Sequence, residues 1–389
     1  IAQGSSELNI SAVIARGDEG KALNAIHDAF FLAGLRTVNL YLVGTGLIGG
    51  TLLQQLATQH EVLADEHRIR INLIGVANSK TMYFDPQGIA PDQALAMLEE
   101  GEPMDLDSFI ARIKAMNLPN TAFCDCTATD QVPARYLELL QSSIPVITPN
   151  KRANSGKFAY YQALTDYSRE RGIPYLYETT VCAGLPVIST IHDLYLSGDR
   201  IQRIEAVLSG TLSYIFNSYD GSVPFSALVR RAKELGYTEP DPRDDLNAMD
   251  AARKALILAR ECGMALEFEQ VHIEPILPAS CFAAPTVDAF FAELKKVDDL
   301  FEERRKKAAA TGKVLRYVAV IEQGSARLSL REESEGSPFR SLVDADNIVV
   351  ITSDRYAKLP MVIKGPGAGA QVTAGGVFAD IVRIARTLV

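Results

Sequence analysis

With 389 residues, 47% hydrophobic and 22% charged, the chain is globular in composition and long enough for two or three domains. Its formal net charge of -9 argues against nucleic acid or an anionic membrane as partner, and no apolar run approaches the ~20 residues of a spanning helix. Five irregularly spaced cysteines do not read as a disulfide framework and point to a reducing, cytoplasmic compartment.

Residues 9–16 alternate Ile10, Ala12 and Ile14 with polar or small neighbours, the pattern of a half-buried strand. Residues 18–32 place Leu23, Ile26, Phe30 and Phe31 on one helical face, with Asp18 at the N-cap position. One strand and one helix cannot make a domain. Residues 1–34 are therefore expected to be the tail of a unit that begins before this numbering.

From residue 37 to about 151 strands and helices alternate, the signature of a parallel sheet with crossover connections. An apolar strand at 38–43 runs into Gly44-Thr45-Gly46-Leu47-Ile48-Gly49-Gly50, and Ile48, Leu52, Leu53 and Leu56 follow at helical spacing. Strand, glycine turn and helix together make this G-x-G-x-x-G a dinucleotide-binding fingerprint. Gly44 permits the tight turn, Gly46 lets a pyrophosphate approach the backbone, and Gly49 lets the helix pack on the strand. The first N–H groups of the helix then face the phosphates.

A second strand, 71–77, ends at Asn78-Ser79-Lys80. An NAD-specific fold carries Asp or Glu there for the ribose 2′-OH. A hydroxyl and a cation instead favour the 2′-phosphate of NADP, with NAD as the alternative. Strands at 122–126 and 145–148 lead to Thr127 and to Pro149-Asn150-Lys151, and ligands of open α/β sheets lie beyond such carboxyl ends. Cys124 and Cys126 are too close in sequence for the usual zinc spacing and read as buried thiols.

A strand beginning at Tyr175 leads through Glu178 into a small-residue turn, and an acid beside exposed carbonyls supplies the oxygen donors a hard cation takes. A further strand at 203–209 ends in Gly210-Thr211. Next come Glu239, Asp241, Asp244 and Asp245, stiffened by Pro240 and Pro242. Four carboxylates so close cannot all lose water, because like charges raise one another's pKa; they face solvent or meet a cation. Asp244 and Asp245 suit the start of a helix at 246–261, which packs through Ala248, Met249, Ala252, Leu256 and Ala259. Asp250 and Lys254 share a face of that helix. They read either as a surface ion pair or as a lysine oriented for proton donation.

A charged amphipathic helix at 286–307 points Phe291, Leu294 and Phe301 inward. Strands at 314–321, 327–331 and 348–352 give a second domain its sheet. The glycine turn at 365–370 then returns the chain to the first domain through a last helix at 377–388.

These stretches resemble homoserine dehydrogenases over residues 38–389, most specifically from Gly236 to Lys254. Further agreement lies in Ala77-Asn78-Ser79-Lys80, Thr148-Pro149-Asn150-Lys151, Leu208-Ser209-Gly210-Thr211 and the closing glycine turn. The opening Ile1-Ala2-Gln3-Gly4-Ser5-Ser6-Glu7 resembles the tail of the ACT regulatory region of bifunctional aspartokinase–homoserine dehydrogenases. A missing N-terminal aspartokinase portion, and incomplete threonine control, are the expectations.

The resemblance implies reversible NAD(P)H-dependent reduction of aspartate β-semialdehyde to homoserine, in threonine, methionine and isoleucine biosynthesis. It makes Lys254 the general acid/base assisted by Asp250, and places Lys151 beside nicotinamide and substrate. Glu239, Asp244 and Asp245 would take the substrate's amino end, and Gly210 and Thr211 would line its pocket. Gly44, Thr45, Gly46, Leu47, Ile48, Gly49, Ser79, Lys80, Thr127 and Gly369 would line the cofactor. Glu178, with the carbonyls of Val181, Ala183 and Leu185, matches a site for a monovalent cation such as Na+ or K+. Cys182 departs from the glycine common in that turn, and would be strained there if φ is positive.

The fold expected is α/β. It comprises a Rossmann-type domain over 35–176 completed by 366–389, and a mixed-sheet α+β catalytic and dimerisation domain over 177–365. Exposed sheet edges in the second domain favour a homodimer. Two rival readings stand beside this one. An acylating semialdehyde dehydrogenase would need a thiolate with a base such as histidine. A nucleotide-sensing protein would bind without turnover.

Overall fold

The computed structural model describes residues 2–3, 10–23, 26 and 34–387. Phe30 and Phe31 of the expected first helix lie outside these residues, as does most of the ACT-like opening. The strand expected at 9–16 is reduced to Ile10–Ser11, paired antiparallel with Ala2–Gln3. Ile14, Leu23 and Ile26 are exposed. Their periodicity does not mark a face buried by the described residues, and Asp18 ends a 3₁₀ turn, Arg16–Asp18.

The first sheet has seven strands: β1 (Arg36–Val43), β2 (Ile69–Ala77), β3 (Thr81–Ile89), β4 (Glu102–Pro103), β5 (Thr121–Asp125), β6 (Val146–Ile147) and β7 (Tyr175–Leu176). Their order is β4-β3-β2-β1-β5-β6-β7. The five strands from β2 to β7 are parallel. β3 and β4 extend the sheet antiparallel. That extension was not expected, because Asp85-Pro86-Gln87-Gly88 inside β3 carries the residue types of a turn. It follows from Asn78, whose Oδ1 accepts the N–H groups of Lys80 (2.7 Å) and Thr81 (2.8 Å) and so folds β2 back on itself.

The second sheet has six strands: β8 (Ile201–Val207), β9 (His272–Ile273), β10 (Val314–Glu322), β11 (Ser325–Glu333), β12 (Asp346–Ser353) and β13 (Met361–Pro366). In the order β9-β11-β10-β8-β12-β13, only β9 and β11 run parallel.

The helices that position the site are α1 (Leu47–His67), α2 (Arg152–Ser155), α3 (Phe158–Arg171), α4 (Ile188–Leu196), α5 (Gly210–Ser218), α6 (Arg243–Leu246), α7 (Met249–Glu261) and α8 (Ala370–Thr387). α7 buries Ala252, Ala255, Leu256 and Ala259 in the core beneath the second sheet. α8 leaves that sheet and lays Ala374, Val377, Ile381 and Ile384 against Leu52, Leu53 and Leu56 of α1.

Three expected helices differ in detail: the last, expected at 377–388, begins at Ala370, and two others depart further. The helix expected at 246–261 begins at Met249, because Ala248 sits in the left-handed region (φ 58°) and separates it from α6. Met249 is exposed rather than packed. The helix expected at 286–307 is two helices, Val287–Leu294 and Asp298–Ala310, joined by a 3₁₀ turn, with Phe291, Leu294 and Phe301 buried as their spacing implied.

The chain crosses between the two sheets at two places. Outbound it passes through 177–187 and inbound through 366–369. A methyl placed on Gly184 would fall 2.4 Å from the Val372 carbonyl oxygen, and one on Gly376 would fall 2.3 Å from Thr179 Cγ2. The outbound crossing therefore packs its backbone directly on α8, the helix that follows the inbound one.

Candidate active site

The glycine turn closes against its neighbours where packing was expected and stays open where a ligand was expected. A Cβ on Gly49 would lie 1.9 Å from the Gly44 carbonyl oxygen, and one on Gly44 (φ 94°) would lie 2.7 Å from Cys126 C. A Cβ on Gly46 would meet nothing within 4 Å. Gly46 stands at the N-terminus of α1, so the unpaired amides of Leu47 and Ile48 open onto that free space. This arrangement fits a dinucleotide pyrophosphate.

Ser79 and Lys80 are both exposed. They emerge beside the turn, because Gly44 N donates to the Ala77 carbonyl at 2.8 Å. On the other side of β1, the Thr127 amide lies where a Gly44 methyl would approach to 2.8 Å. Its N–H donates to Asp125 Oδ1 at 2.7 Å.

Asp125 was not singled out from the sequence, yet it organises this side of the crevice. It is buried, and burial raises its pKa against the donors around it. Tyr136 donates to its carboxylate, and Asn150 Nδ2 reaches Asp125 Oδ2 at 3.2 Å and the Thr129 carbonyl at 2.9 Å. The Thr148 hydroxyl donates to the Asp125 carbonyl at 3.0 Å and accepts from the Asn150 amide at 2.8 Å. The loop that presents Lys151 is therefore built on an acid at the end of an apolar strand. That acid stands within Cys-Asp-Cys-Thr. Its thiols behave only in part as expected: Cys124 is buried, whereas Cys126 is half-buried with its sulfur 3.8 Å away.

Lys151 reaches across the crevice to the second sheet's layer. Its Nζ donates to Asp250 Oδ1 at 2.6 Å, and Lys254 Nζ lies 2.9 Å from Asp250 Oδ2. One carboxylate thus bridges two ammonium groups. Burial alone would raise the Asp250 pKa, but the charges of Lys254 and Lys151 prevail and hold it well below the usual carboxylate range. Burial, followed by the charge of Lys254, lowers the Lys151 pKa against the pull of Asp250. Lys254 is further fixed by a 2.8 Å bond to the Leu208 carbonyl, and its side chain is only 12% exposed. Asp250 is 52% exposed, so the trio opens to the crevice.

The acidic loop divides as electrostatics requires. Glu239 and Asp244 face solvent. Asp241 pairs with Arg243 through bonds of 2.9 and 3.0 Å to Nε. Asp245 is half-buried; it accepts from the Thr211 hydroxyl at 2.7 Å and the Glu239 amide at 2.8 Å. Burial raises its pKa, and Glu239 and Asp244 raise it further. Asp244 and Asp245 belong to α6 rather than to the start of α7. Gly210 opens α5, and a methyl there would approach Ala368 Cβ to 3.9 Å, which sets Gly210 and Thr211 beside the turn holding Gly369 (φ 118°).

The acid of the expected cation set has other partners. Glu178 is buried, and its carboxylate accepts from the amides of Ile188 (2.7 Å) and Ser189 (3.0 Å) at the start of α4 and from Arg383 Nη1 (3.1 Å). The Leu185 carbonyl already accepts from the Val187 amide at 2.8 Å. A carboxylate spent on a helix end and a guanidinium does not fit the ligand role given to it beside Val181, Ala183 and Leu185. Cys182 (φ 57°) and Ala183 (φ 52°) do occupy the left-handed region. The strain expected at Cys182 is thus present. Among the described residues no group of three or more His, Cys, Asp or Glu could hold a metal ion.

Comparison with known proteins agrees with this geometry. Residues 186–382 match the family described as "Homoserine dehydrogenase", residues 44–178 its "NAD binding domain", and residues 1–30 an "ACT domain". The chain is 43% identical over 389 residues to "Bifunctional aspartokinase/homoserine dehydrogenase 1, chloroplastic" of Arabidopsis thaliana, covering 99% of this chain and 43% of that protein. It is 39% identical to the bifunctional protein of Haemophilus influenzae, covering 98% of this chain and 47% of that one. The chain thus spans less than half the length of these curated relatives. Its fold matches that of a hyperthermophilic archaeal homoserine dehydrogenase in complex with NADPH, with a TM-score of 0.69 and 23% identity over 90% of this chain and 97% of that one. A glycine turn open at Gly46, a lysine–aspartate–lysine bridge across the crevice and matches covering both sheets lead to one assignment: the chain belongs to the homoserine dehydrogenase family.

Proposed function

We propose that this chain interconverts aspartate β-semialdehyde and homoserine with a nicotinamide cofactor. The observation that carries the reading is the Lys151–Asp250–Lys254 bridge, which joins the cofactor edge of the first sheet to α7 of the second layer. The nicotinamide, when bound, supplies or accepts the hydride. Lys254 faces the substrate oxygen, where its ammonium stabilises the developing negative charge and delivers the proton. Asp250 keeps both ammonium groups in place and prevents either from turning to solvent. Glu239, Asp244 and Asp245 form an anionic recess for the substrate ammonium, and the Thr211 hydroxyl orients Asp245.

Neither rival reading gains support. An acylating mechanism needs a thiolate beside a base, but the Cys126 contact and then burial raise the pKa of Cys124, and burial raises those of Cys182, Cys262 and Cys281. His192 pairs with Glu261 at 2.6 Å rather than with a thiol. Ser79 and Lys80 support a preference for NADP over NAD. The exposed edges of the second sheet support a homodimer, and the free thiols support a reducing compartment. The curated relatives support a parent polypeptide that also carries an aspartokinase portion. No catalytic step is assigned to a monovalent cation.

Steady-state oxidation of homoserine, with NADP and with NAD, tests the reading. Lys254→Ala is expected to lower kcat by about 10²–10⁴-fold while leaving NADPH binding and the melting temperature near their original values. Near-normal turnover in that variant would remove Lys254 from the chemistry.

A further inference from the structure

The far end of α7 carries a group that the reaction as described does not use. The Arg260 side chain is 0% exposed, yet among the described residues no buried carboxylate pairs with it. Its guanidinium donates to three backbone carbonyls: Asn154 (2.7 Å from Nη1), Gly156 (2.7 Å from Nη2) and Leu266 (3.1 Å from Nε, 2.9 Å from Nη2). The nearest acid, Glu267, is 3.4 Å away and half-exposed. Burial lowers the Arg260 pKa. A guanidinium removed from water and satisfied mostly by neutral carbonyls is costly to keep, and well-packed apolar replacements are often no less stable.

Those carbonyls have a particular address. Asn154 and Gly156 lie at the end of α2, where helix carbonyls have no partner of their own. α2 begins one residue after Lys151. Within it, the Ser155 amide and hydroxyl return to the Lys151 carbonyl at 2.9 and 2.8 Å. Asp250, which grips the Lys151 ammonium, is ten residues before Arg260 on the same helix, a separation of about 15 Å along its axis. α7 therefore holds the Lys151 segment twice, by the side chain at its first turn and by the backbone at its last.

Glu261 anchors the same end of α7. Its buried carboxylate accepts from Tyr161 of α3 at 3.0 Å, from Tyr177 at 2.9 Å and from His192 of α4 at 2.6 Å. A carboxylate in the last turn opposes the helix dipole, so these three partners are what retain it there.

We propose that Arg260 is a positioning residue for the reaction, acting through Lys151: it fixes the segment bearing that lysine at the height where the Asp250 carboxylate meets it. The inference rests on the function proposed above. Its test is a double-mutant cycle on the whole chain, with kcat for homoserine oxidation and the melting temperature measured for each protein. Arg260→Met is expected to lower kcat about tenfold to a hundredfold in the parent, as a displacement of about 1 Å at a reacting group does. In a Lys151→Met background the same change is expected to lower kcat less than about twofold, because the coupled partner is gone.

Arg260→Lys keeps a buried cation. It is expected to recover most of the lost kcat, whereas Arg260→Gln, which loses the charge and the forked donors, serves as the test variant if Arg260→Met does not fold. An equal loss in both backgrounds would show that Arg260 only supports the fold, and would overturn the proposal. An unchanged kcat in well-folded Arg260→Met would overturn it too. An unchanged kcat in Lys151→Met alone would instead strike the role given to Lys151, and the inference with it.

Discussion

At the scale of single residues, the glycine turn separates two demands that a shared motif merges. Gly49 is small because the Gly44 carbonyl occupies the place of its side chain, whereas Gly46 is small although nothing of the protein is there. Gly49→Ala must therefore displace backbone, at a cost of about 2–3 kcal/mol or more in unfolding free energy, together with cofactor affinity. Gly46→Ala is expected to leave the melting temperature unchanged while weakening NADPH binding tenfold or more. Paired thermal melts and fluorescence titrations check both. The turn was legible in the sequence because strand, glycines and helix are contiguous. Asp125 was not, because its role depends on Tyr136, Thr148 and Asn150, which only the fold brings to it. Asp250 and Lys254 were legible as a pair sharing a helix face. Lys151 was legible at the crevice from its place after a strand, but that it meets Asp250 from 99 residues away was not.

At the scale of elements, α8 carries a buried acid that should be visible in pH titrations. Asp380 is 1% exposed; its Oδ1 accepts from Arg383 at 2.6 Å and its Oδ2 from the Glu178 amide at 3.2 Å. Burial pushes its pKa up to about 6, with help from the Glu178 charge and against Arg383. The folded state therefore retains this proton between about pH 4 and 6 while the unfolded chain has released it, so stability falls as pH rises through that window. Asp380→Asn is expected to flatten this part of the stability curve, with a difference on the order of 2 kcal/mol between its ends. Chemical denaturation of both proteins across pH 4–7 checks the sign. The elements that escaped the sequence are those whose residues contradict their conformation. β3 contains Asp-Pro and a glycine, β13 follows Lys-Leu-Pro, and the break before α7 falls at an alanine in the left-handed region rather than at a glycine. In each case pairing or packing with distant strands outweighs local preference.

At the scale of the whole molecule, the last helix belongs to the first sheet although the second sheet separates them in sequence. Ala374, Val377, Ile381, Ile384 and Ala385 are buried there. Their burial contributes roughly 5–8 kcal/mol, comparable with the net stability of a domain. A chain truncated after Gly369 is expected to lose the cooperative melt of the nucleotide-binding layer and to aggregate, not merely to bind NADPH more weakly. Differential scanning calorimetry of the truncated and full chains decides this. That the final glycine turn sends the chain back was legible from its position after the second sheet. Which surface receives the helix was not, because any exposed apolar face satisfies the same periodicity.

The paired crossings at 177–187 and 366–369 have a mechanical consequence. A layer hung from one tether can swivel about it, but a layer hung from two, the first braced on α8 through Gly184 and Gly376, is expected to swing rather than twist, like a book cover on its spine. Any opening of the crevice is then expected to follow one axis, and to return Lys151 to the same carboxylate.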